Sequence, residues 1–318
     1  MKINYFKVFR KGLHTTFQDS GFDNFQHLGI TTAGVVDNNL FLLANKLLNN
    51  KENTPIIEFT NQGPLLVLKK GKCRFAITGN VKFNIIKNGI TIAGIPNRTY
   101  FLNQGEQLDI LCTINSNYGY FSIEGGFKLK KTFGSNSTLT GSKIGANEGR
   151  KISNNQFIFF NSQGSNFNNI INIDFKVSNF IRVVKGPQMN YFMLKNIFKF
   201  FNKQFSISNL TNRTGIRLVG NTIKATISHD IPSEGIIKGS IQIPGSGDPI
   251  VLINDHPTIG GYPKIGIVIL SDLPALAQLP IRTSFDFKEV TLDEAENIYK
   301  KNKLLFNNTL NKISKICF

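Results

Sequence analysis

Four segments of the chain combine glycine with polar side chains that can bind an amide or an anion. They cover residues 12–37, 133–150, 211–218 and 233–264. Together they supply many amide donors and acceptors but few strong bases, and the G-x-S-x-G motif of a serine-hydrolase elbow does not occur in the sequence. We therefore expect chemistry on a carboxylate or amide group without an activated serine nucleophile.

Charged and phenolic side chains in these segments can bind a substrate carboxylate, transfer protons and stabilise negative charge that develops on a substrate oxygen. Arg213 offers a planar pair of N–H donors that suits a carboxylate, so we predict that it holds the substrate carboxylate. Glu234 and Asp19 are the candidate proton acceptors. Lys264 and Tyr262 can stabilise an oxyanion or supply a proton. The predicted catalytic residues are therefore Glu234, Tyr262 and Lys264.

Amide side chains complete the predicted site. Gln18, Asn212 and Gln242 can hold an amide or ureido group through paired donor and acceptor contacts. The predicted substrate-binding residues are Gln18, Asp19, Ser137, Asn212, Arg213 and Gln242. These roles require that the polar segments of both halves of the chain line one cleft, and the sequence leads us to expect such a cleft.

Several of these residues have a structural alternative. Gln18 and Asp19 can belong to a strand-end turn in which the aspartate accepts hydrogen bonds from nearby backbone amides. Arg213 can form a salt bridge inside a β-barrel, and Ser137 can cap a turn or a helix. The sequence leaves these alternatives open.

Metal-site, nucleotide-site and disulfide patterns do not occur in the sequence. The four histidines lack the spacing of a metal site, so no metal ligand is predicted. The glycine-rich run 244–249 is followed by neither a helix nor Gly-Lys-Ser/Thr, which favours a tight β-turn over a phosphate-binding loop. The three cysteines stand far apart, and Cys112, inside an apolar run, is predicted to lie in the core.

The formal net charge of +17 raises the question of a nucleic-acid partner. The basic residues are spread along the chain in pairs such as Lys69-Lys70 and Lys300-Lys301, without aromatic residues interleaved in an RNA-binding pattern. Helix-turn-helix and zinc-finger spacings do not occur either. We predict a solvated basic surface and no nucleic-acid partner, although an acidic partner protein or an anionic substrate would be attracted to it.

The first residues lack the apolar segment of a secretory signal. No run reaches the roughly 20 apolar residues that a membrane span needs. Hydrophobic residues make up 41% of the chain, as in globular proteins with a packed core. The sequence therefore predicts a cytoplasmic protein without a membrane partner.

Short apolar runs separated by turn residues dominate the chain, which is typical of a β-barrel or sandwich. The dipeptide Asn88-Gly89 predicts a hairpin over 82–92, because it tolerates positive φ. Further strands are predicted at 106–113, 118–124, 156–160, 179–184, 249–253 and 265–270. The predicted fold class is mainly β.

A few helices accompany the strands. The first is predicted over 37–48, capped by Asp37, and the second over 188–202. The third begins at Thr291, where residues 291–294 form a capping box. The asparagine-rich stretch 161–169 is the expected boundary between a first lobe, 1–165, and a second lobe, 166–318, that carries the C-terminal helix.

Long motifs follow one another along the chain in a defined order. They are GLHTTFQDSG with AGVVD, then GSNST, then TNRTGIRLVG, and finally SEGIIKGSIQIPGSGDPIVLINDHPTIGGYPKIGIVILSDL. In this order they resemble the biotin-dependent carboxyltransferase family, which includes the C subunit of 5-oxoprolinase, the second subunit of allophanate hydrolase, the Kip-type antagonist of a kinase inhibitor and part of urea amidolyase. The resemblance covers about residues 10–300, and several motifs in register are far more specific than one short pattern.

The resemblance implies a two-lobed, cyclophilin-like β-barrel fold, with a carboxyltransferase lobe (subdomain A) followed by a cyclophilin-like lobe (subdomain B). It implies a role as the C subunit of an ATP-dependent 5-oxoprolinase. Such an enzyme opens 5-oxo-L-proline to glutamate. Its other two subunits would be a Kip-inhibitor-like B subunit and a Lamb-type A subunit. ATP would be used by the complex, biotin would be carried by a partner protein if it is used, and no cofactor would be covalently bound to this chain.

Two other functions fit the same resemblance. One is a biotin-dependent carboxyltransferase acting on urea or another amide, and the other is a regulatory module that binds a kinase-inhibitor protein. The chain also departs from the family, because Phe22 stands where an arginine usually follows the Gln-Asp-x-Gly run. If that arginine binds substrate, its loss bears on activity or specificity. If it only pairs with a structural carboxylate, Phe22 is harmless.

Overall fold

The computed structural model describes residues 4–161, 168–171 and 179–316. The chain forms two compact units, of which the first comprises Met1–Phe22, Ala33–Asp174 and Phe306–Phe318, and the second Asp23–Thr32 and Phe175–Leu305. The predicted boundary between residues 165 and 166 lies outside the described residues. Two stretches do not follow the predicted lobes. Residues 23–32 belong to the second unit, and the chain from Phe306 onward belongs to the first unit.

Two antiparallel sheets make up most of the first unit; strands are numbered along the chain. The six-stranded sheet has the order β13 (Phe157–Phe160), β1 (Asn4–Arg10), β4 (Leu65–Lys70), β9 (Gln107–Thr113), β6 (Val81–Lys87) and β7 (Ile90–Gly94). The seven-stranded sheet has the order β2 (His14–Gln18), β3 (Ile56–Thr60), β10 (Tyr118–Ile123), β5 (Lys72–Thr78), β8 (Arg98–Asn103), β14 (Asn168–Ile170) and β24 (Ser314–Ile316). A short ribbon joins β11 (Thr138–Leu139) to β12 (Ile144–Gly145).

The core of the first unit contains buried side chains from both sheets. Period-two alternation explains this packing, because it places Phe6 and Val8 of β1 inward while Phe9 is exposed. The ring of Phe6 stacks on Phe160 at 5.1 Å. The prediction for Cys112 was wrong: it is exposed near the end of β9, where pairing with β6 shifts register.

Local signals in this unit act as predicted. The hairpin β6–β7 turns at Asn88 and Gly89, which have φ of 49° and 79°. Helix α1 (Asn38–Leu47) begins after Asp37, whose carboxylate accepts hydrogen bonds from the backbone N–H groups of Asn39 and Leu40. Both predictions are confirmed.

The second unit contains a closed seven-stranded barrel, which confirms a mainly β fold with a barrel. Its order is β15 (Phe180–Lys185), β22 (Lys264–Val268), β19 (Ser240–Gln242), β20 (Ile250–Leu252), β17 (Gly215–Gly220), β16 (Phe205–Ile207) and β23 (Ser284–Glu289). A two-stranded ribbon pairs β18 (Glu234–Gly235) with β21 (Ile259–Gly260). In the predicted turn at 244–249, the N–H of Gly247 donates to the carbonyl of Pro244 at 2.9 Å.

Three more helices are α2 (Leu194–Asn202), α3 (Leu273–Gln278) and α4 (Leu292–Leu310). The helix predicted over 188–202 is interrupted, because Phe192 is extended and bridges to Ala225, so α2 starts only at Leu194. The capping box of α4 is confirmed: Thr291 Oγ1 accepts from the Glu294 N–H, and Glu294 Oε2 accepts from the Thr291 N–H. Among the described residues, no helix combines the length and hydropathy required to cross a bilayer.

Candidate active site

Lys264, Glu234 and Gln188 form a connected polar cluster in the second unit. Lys264 opens β22, is only 4% exposed, and places its ammonium on Glu234 Oε1. Gln188 Nε2 donates to the same carboxylate oxygen at 2.8 Å. The backbone N–H of Lys264 donates to Gln188 Oε1 at 3.1 Å, so one glutamine side chain fixes both members of the ion pair.

This environment sets the charge state of Glu234. The hydrogen bond from Lys264, followed by that from Gln188, lowers the pKa of the Glu234 carboxyl. A carboxylate with a lowered pKa is a weak base at neutral pH. The geometry therefore favours a positioning role for Glu234, which orients the Lys264 ammonium, over its predicted role as proton acceptor.

Gln242 supplies a buried donor next to this cluster. It lies on β19 directly opposite Lys264 in the antiparallel pairing, so the two side chains are cross-strand neighbours. Gln242 is 5% exposed, and in the described part of the chain its Nε2 has no hydrogen-bond partner. Such an orphaned donor costs about 1 to 3 kcal/mol. A ligand that brings a carbonyl acceptor would satisfy it.

Gly260 makes room for the Gln242 amide. A Cβ at Gly260 would lie 2.5 Å from Gln242 Nε2 and 2.1 Å from the Cδ1 atom of Ile236. Ser240, two residues before Gln242 and on the same face of β19, also has a buried hydroxyl without a partner among the described residues. This part of the barrel therefore carries two unsatisfied polar groups, of which Gln242 Nε2 belongs to the residue opposite Lys264.

Tyr262 precedes β22 and remains accessible. Its side chain is 39% exposed, and no hydrogen bond or ion pair links it to another described residue. It lies two residues before Lys264. Its predicted role as a proton donor or oxyanion-stabilising group stays a prediction.

Arg213 and Asn212 are both engaged within the chain. Arg213 Nε and Nη2 donate to the two carboxylate oxygens of Asp255 at 2.9 and 2.8 Å, and both side chains are buried. Asn212 Oδ1 accepts from the backbone N–H groups of Thr214 and Gly215. For Arg213 this supports the salt-bridge alternative, because Asp255 occupies the donors predicted to hold a substrate carboxylate.

Asp19 and Ser137 anchor a loop in the first unit. The buried Asp19 carboxylate accepts from the hydroxyls of Ser135 and Ser137 at 2.5 and 2.7 Å and from the backbone N–H groups of Gly21 and Asn136. The Ser137 hydroxyl in turn accepts from the Asp19 backbone N–H. These contacts support the turn alternative, since the hydrogen-bonding capacity of both side chains is used locally.

Gln18, at the end of β2, has both satisfied and unsatisfied atoms. Its Nε2 donates to Thr16 Oγ1 and to the carbonyl of Thr138, each at 3.0 Å. Its Oε1 is buried without a partner among the described residues. Gln18, Asp19 and Ser137 belong to the first unit and the other six predicted site residues to the second. That the two sets share a cleft stays a prediction.

Phe22 is a core residue in this chain. It is 1% exposed, and its ring lies against Gly145, where an added Cβ would be 3.2 Å from the ring Cζ atom. The nearby Asp19 carboxylate is saturated by serine hydroxyl and backbone donors. This arrangement supports the view that Phe22 is harmless, because the carboxylate needs no arginine partner.

Two residues of this site, Gln188 and Asp255, were missed in the sequence. Gln188 follows Gly186-Pro187 just after β15, a position that marks a strand end but gives no sign of a partner. Asp255 lies beside His256, and burial lowers the pKa of that imidazole. A polar residue after a buried strand was the available signal for each.

Comparison with known proteins identifies the family. Residues 28–289 match the family described as "Carboxyltransferase domain, subdomain A and B". The chain belongs to this family. Among its relatives, the C subunit of Escherichia coli 5-oxoprolinase is 30% identical over 292 residues, which cover 91% of this chain and 92% of the relative. Saccharomyces cerevisiae urea amidolyase is 26% identical over 90% of this chain, but the match spans only 17% of that protein.

Solved structures with TM-scores of 0.84 and 0.85 share this fold. The Kluyveromyces lactis urea carboxylase aligns with a TM-score of 0.84 and 24% identity over 97% of this chain and 29% of that one. The chain therefore spans less than a third of the fungal enzyme. This likeness concerns the fold alone.

Proposed function

We propose that this chain is the C subunit of an ATP-dependent 5-oxoprolinase, which opens 5-oxo-L-proline to glutamate together with the A and B subunits. The observation that carries the proposal is the match to the C subunit of the Escherichia coli enzyme over 91% of this chain and 92% of the relative. Because the match covers nearly the whole length of both chains, it supports a common role for the two polypeptides.

The polar groups in the second unit suit a cyclic amide. Gln242 Nε2, which lacks a partner among the described residues, would donate to the lactam carbonyl oxygen. The Lys264 ammonium, held by Glu234 and Gln188, would stabilise the negative charge that develops on that oxygen. Water would add to the lactam carbon to form the new carboxylate as the C–N bond breaks, and Tyr262 would supply a proton to the leaving nitrogen. ATP, when bound to the complex, would supply the free energy for opening the lactam.

Reconstitution with the cognate A and B subunits tests this function. We expect ATP-dependent glutamate formation from 5-oxoproline only when this chain is present. The matched control replaces this chain with the Lys264→Met variant, which we expect to assemble but to lose most turnover. Glutamate formation at an equal rate without the chain would refute the proposal.

A biotin-dependent carboxyltransferase acting on urea or another amide is the second candidate. The matches to urea amidolyase and urea carboxylase favour it. The ureido ring of biotin presents the same carbonyl acceptor to Gln242 as a lactam does. Avidin separates the two candidates, because it blocks a biotin-dependent reaction and leaves 5-oxoproline opening unchanged. Partner binding without turnover on either substrate would indicate a regulatory module.

A further inference from the structure

Helix α4 has no buried residue along its length. It spans Leu292–Leu310, and all of its 19 residues are exposed or half-buried. Helices in proteins owe most of their stability to the packing of an apolar face against another element. If α4 carries an apolar face, that face is therefore available to another molecule.

Apolar residues follow one another along one side of α4. Successive residues of a helix are turned by about 100°, so Leu292, Ala295, Ile298 and Tyr299 lie within a sector of about 120°. We call these four residues the α4 stripe. Leu292 and Tyr299 are 64% and 45% exposed, and Ala295 and Ile298 are half-buried. A stripe of this width normally faces the core of a domain, whereas here it is open to solvent.

Neither the family match nor the proposed function accounts for the α4 stripe. The match to the carboxyltransferase family ends at residue 289, and α4 begins at Leu292. The hydrogen bonds described above for Lys264 and Asp19 involve no residue of α4. Residues 292–305, which include the stripe, belong to the second unit. The stripe is therefore a feature of that unit to which no role has been assigned.

Formal charges on α4 cancel, but they are separated along the helix. Acidic residues occupy its first two turns and lysines its middle; they are Asp293, Glu294, Glu296, Lys300, Lys301 and Lys303. The whole chain has a formal net charge of +17, so an acidic protein or a nucleic acid would be drawn to its basic parts and repelled by the first turns of α4. A partner that presents the same charges in the reverse order fits this helix best.

A second copy of this chain presents the reverse order when two α4 helices run antiparallel. By the same helical geometry, Glu296 and Lys303 flank one side of the α4 stripe, and Glu294 and Lys301 flank the other. A two-fold axis between residues 298 and 299 brings like sides together and places each glutamate within about 3 Å, along the helix axis, of a lysine of the other copy. A parallel pair would instead place glutamate beside glutamate and lysine beside lysine. The charges therefore favour the antiparallel pair.

We propose that α4 forms a homodimer contact in which two copies of this chain pair antiparallel through the α4 stripe. Pairing covers apolar side chains that are exposed in the single chain and brings both flanking glutamates close to lysines. A contact made by one helix from each copy buries less than the roughly 1,200 Å² of a standard interface, so we expect a reversible dimer with a dissociation constant in the micromolar range. This inference does not rest on the proposed function.

Sedimentation equilibrium of the full-length chain tests this contact. At physiological ionic strength, where repulsion between the two basic copies is screened beyond about 8 Å, we expect a monomer–dimer equilibrium. Tyr299→Glu would bury a charge in the stripe, so we expect the dissociation constant to rise by about tenfold or more. The matched control is Leu304→Glu, which introduces the same charge at a side chain that is 62% exposed on the opposite side of α4. It should alter the dissociation constant by less than about twofold.

A charge swap tests the antiparallel orientation. Glu296→Lys would place two lysines side by side across the dimer, so we expect about fivefold weaker dimerisation. The double variant Glu296→Lys, Lys303→Glu restores opposite charges, and its dissociation constant should return to within about twofold of the parent value. Glu296 also meets Lys300 of its own helix at 3.5 Å, but this pair is exposed and weak, so its loss should not change the comparison. Circular dichroism and thermal unfolding establish that the variants are folded.

Several outcomes would overturn the homodimer contact. They are a chain that stays monomeric up to concentrations well above the micromolar range, equal effects of Tyr299→Glu and Leu304→Glu, or a charge-swapped double variant that dimerises as weakly as Glu296→Lys. A monomeric chain whose Tyr299→Glu variant loses an added B subunit would assign the stripe to that protein and would also overturn it. The measurement uses neither substrate nor ATP, so failure of 5-oxoproline turnover leaves it unaffected.

Discussion

A buried amide N–H group that lacks a hydrogen-bond partner lowers the stability of a fold. The side chain of Gln242 on β19 contains such a group among the described residues. Fold stability alone would favour an apolar side chain there, because desolvation of the amide is not repaid in the free protein. The neighbouring Lys264 is also kept nearly inaccessible and held by Glu234 and Gln188. Such costs are expected where a ligand completes the hydrogen bonds.

Replacing Gln242 separates function from stability. Gln242→Met keeps the volume and removes the orphaned donor, so we expect the free energy of unfolding to stay the same or rise by about 1 kcal/mol. We expect 5-oxoproline turnover in the reconstituted complex to fall by about tenfold or more. Chemical denaturation and turnover assays measure the two effects. Unchanged turnover would remove Gln242 from the site.

The ion pair of Glu234 predicts a pH dependence. Because the pKa of this carboxyl is lowered in the fold, its contribution to stability is complete above the unfolded value of about 4.3 and is lost as pH falls through the folded value. Glu234→Gln should therefore be less stable than the parent at pH 7, with the difference shrinking toward pH 3. Thermal unfolding across this range checks it, and a constant difference would contradict it.

Phe22 offers a test of the family arginine. Phe22→Arg buries a guanidinium, and the carboxylate of Asp19, three positions earlier in the chain, is already saturated by other donors, so we expect a loss of about 3 to 5 kcal/mol in unfolding free energy. Phe22→Leu, the matched control, should cost about 1.5 kcal/mol or less and keep turnover. A stable Phe22→Arg protein with raised turnover would show that the arginine site is functional.

Among the secondary-structure elements, a few polar residues at strand ends hold short strands and turns in place. Asp19, just after β2, ties the turn at 132–135 and the residues before β11 to the β2 edge of the seven-stranded sheet, because its carboxylate accepts from hydroxyl and backbone N–H donors there. Gln188, just after β15, performs the same task for β18 and β22 in the barrel unit. In each unit one polar side chain just after a strand therefore links segments that lie far apart in the sequence.

The anchoring role of Asp19 predicts a large stability effect. Asp19→Asn replaces an acceptor oxygen by an amide donor that faces hydroxyl and N–H donors, so we expect a loss of about 3 kcal/mol. Asp23→Asn, at an exposed aspartate four positions later, should stay within about 0.5 kcal/mol. Urea unfolding distinguishes them, and equal stabilities would exclude the anchor.

For the molecule as a whole, the formal net charge of +17 means that repulsion between like charges lowers the stability of the folded state measurably. Added salt screens repulsion between exposed charges over a Debye length of about 8 Å at physiological ionic strength. We expect the melting temperature to rise between low and moderate sodium chloride, as followed by calorimetry. A falling melting temperature would mean that exposed ion pairs outweigh the repulsion.

Local patterns and motif order in the amino-acid sequence were enough to predict the family and the kind of fold. Alternation of apolar residues, the Asn88-Gly89 turn and the caps at Asp37 and Thr291 act over a few residues, so they can be read without tertiary contacts. The order of the long motifs determined the carboxyltransferase family, later matched over residues 28–289. The break before α2 escaped prediction because it depends on the bridge between Phe192 and Ala225.

The polar residues that already have hydrogen-bond partners within the chain could be recognised only from contacts in three dimensions. Arg213 meets Asp255 across 42 positions, and Asp19 meets Ser137 across 118, so neither pairing is visible locally. The structure also brought Gln188 to Glu234 and left Gln242 Nε2 without a partner in the described chain. A buried polar side chain whose hydrogen bonds are all satisfied within the chain stabilises the fold, whereas one with an unsatisfied atom is a candidate for binding a ligand. The residues that satisfy these hydrogen bonds come from distant parts of the sequence, so they cannot be identified locally.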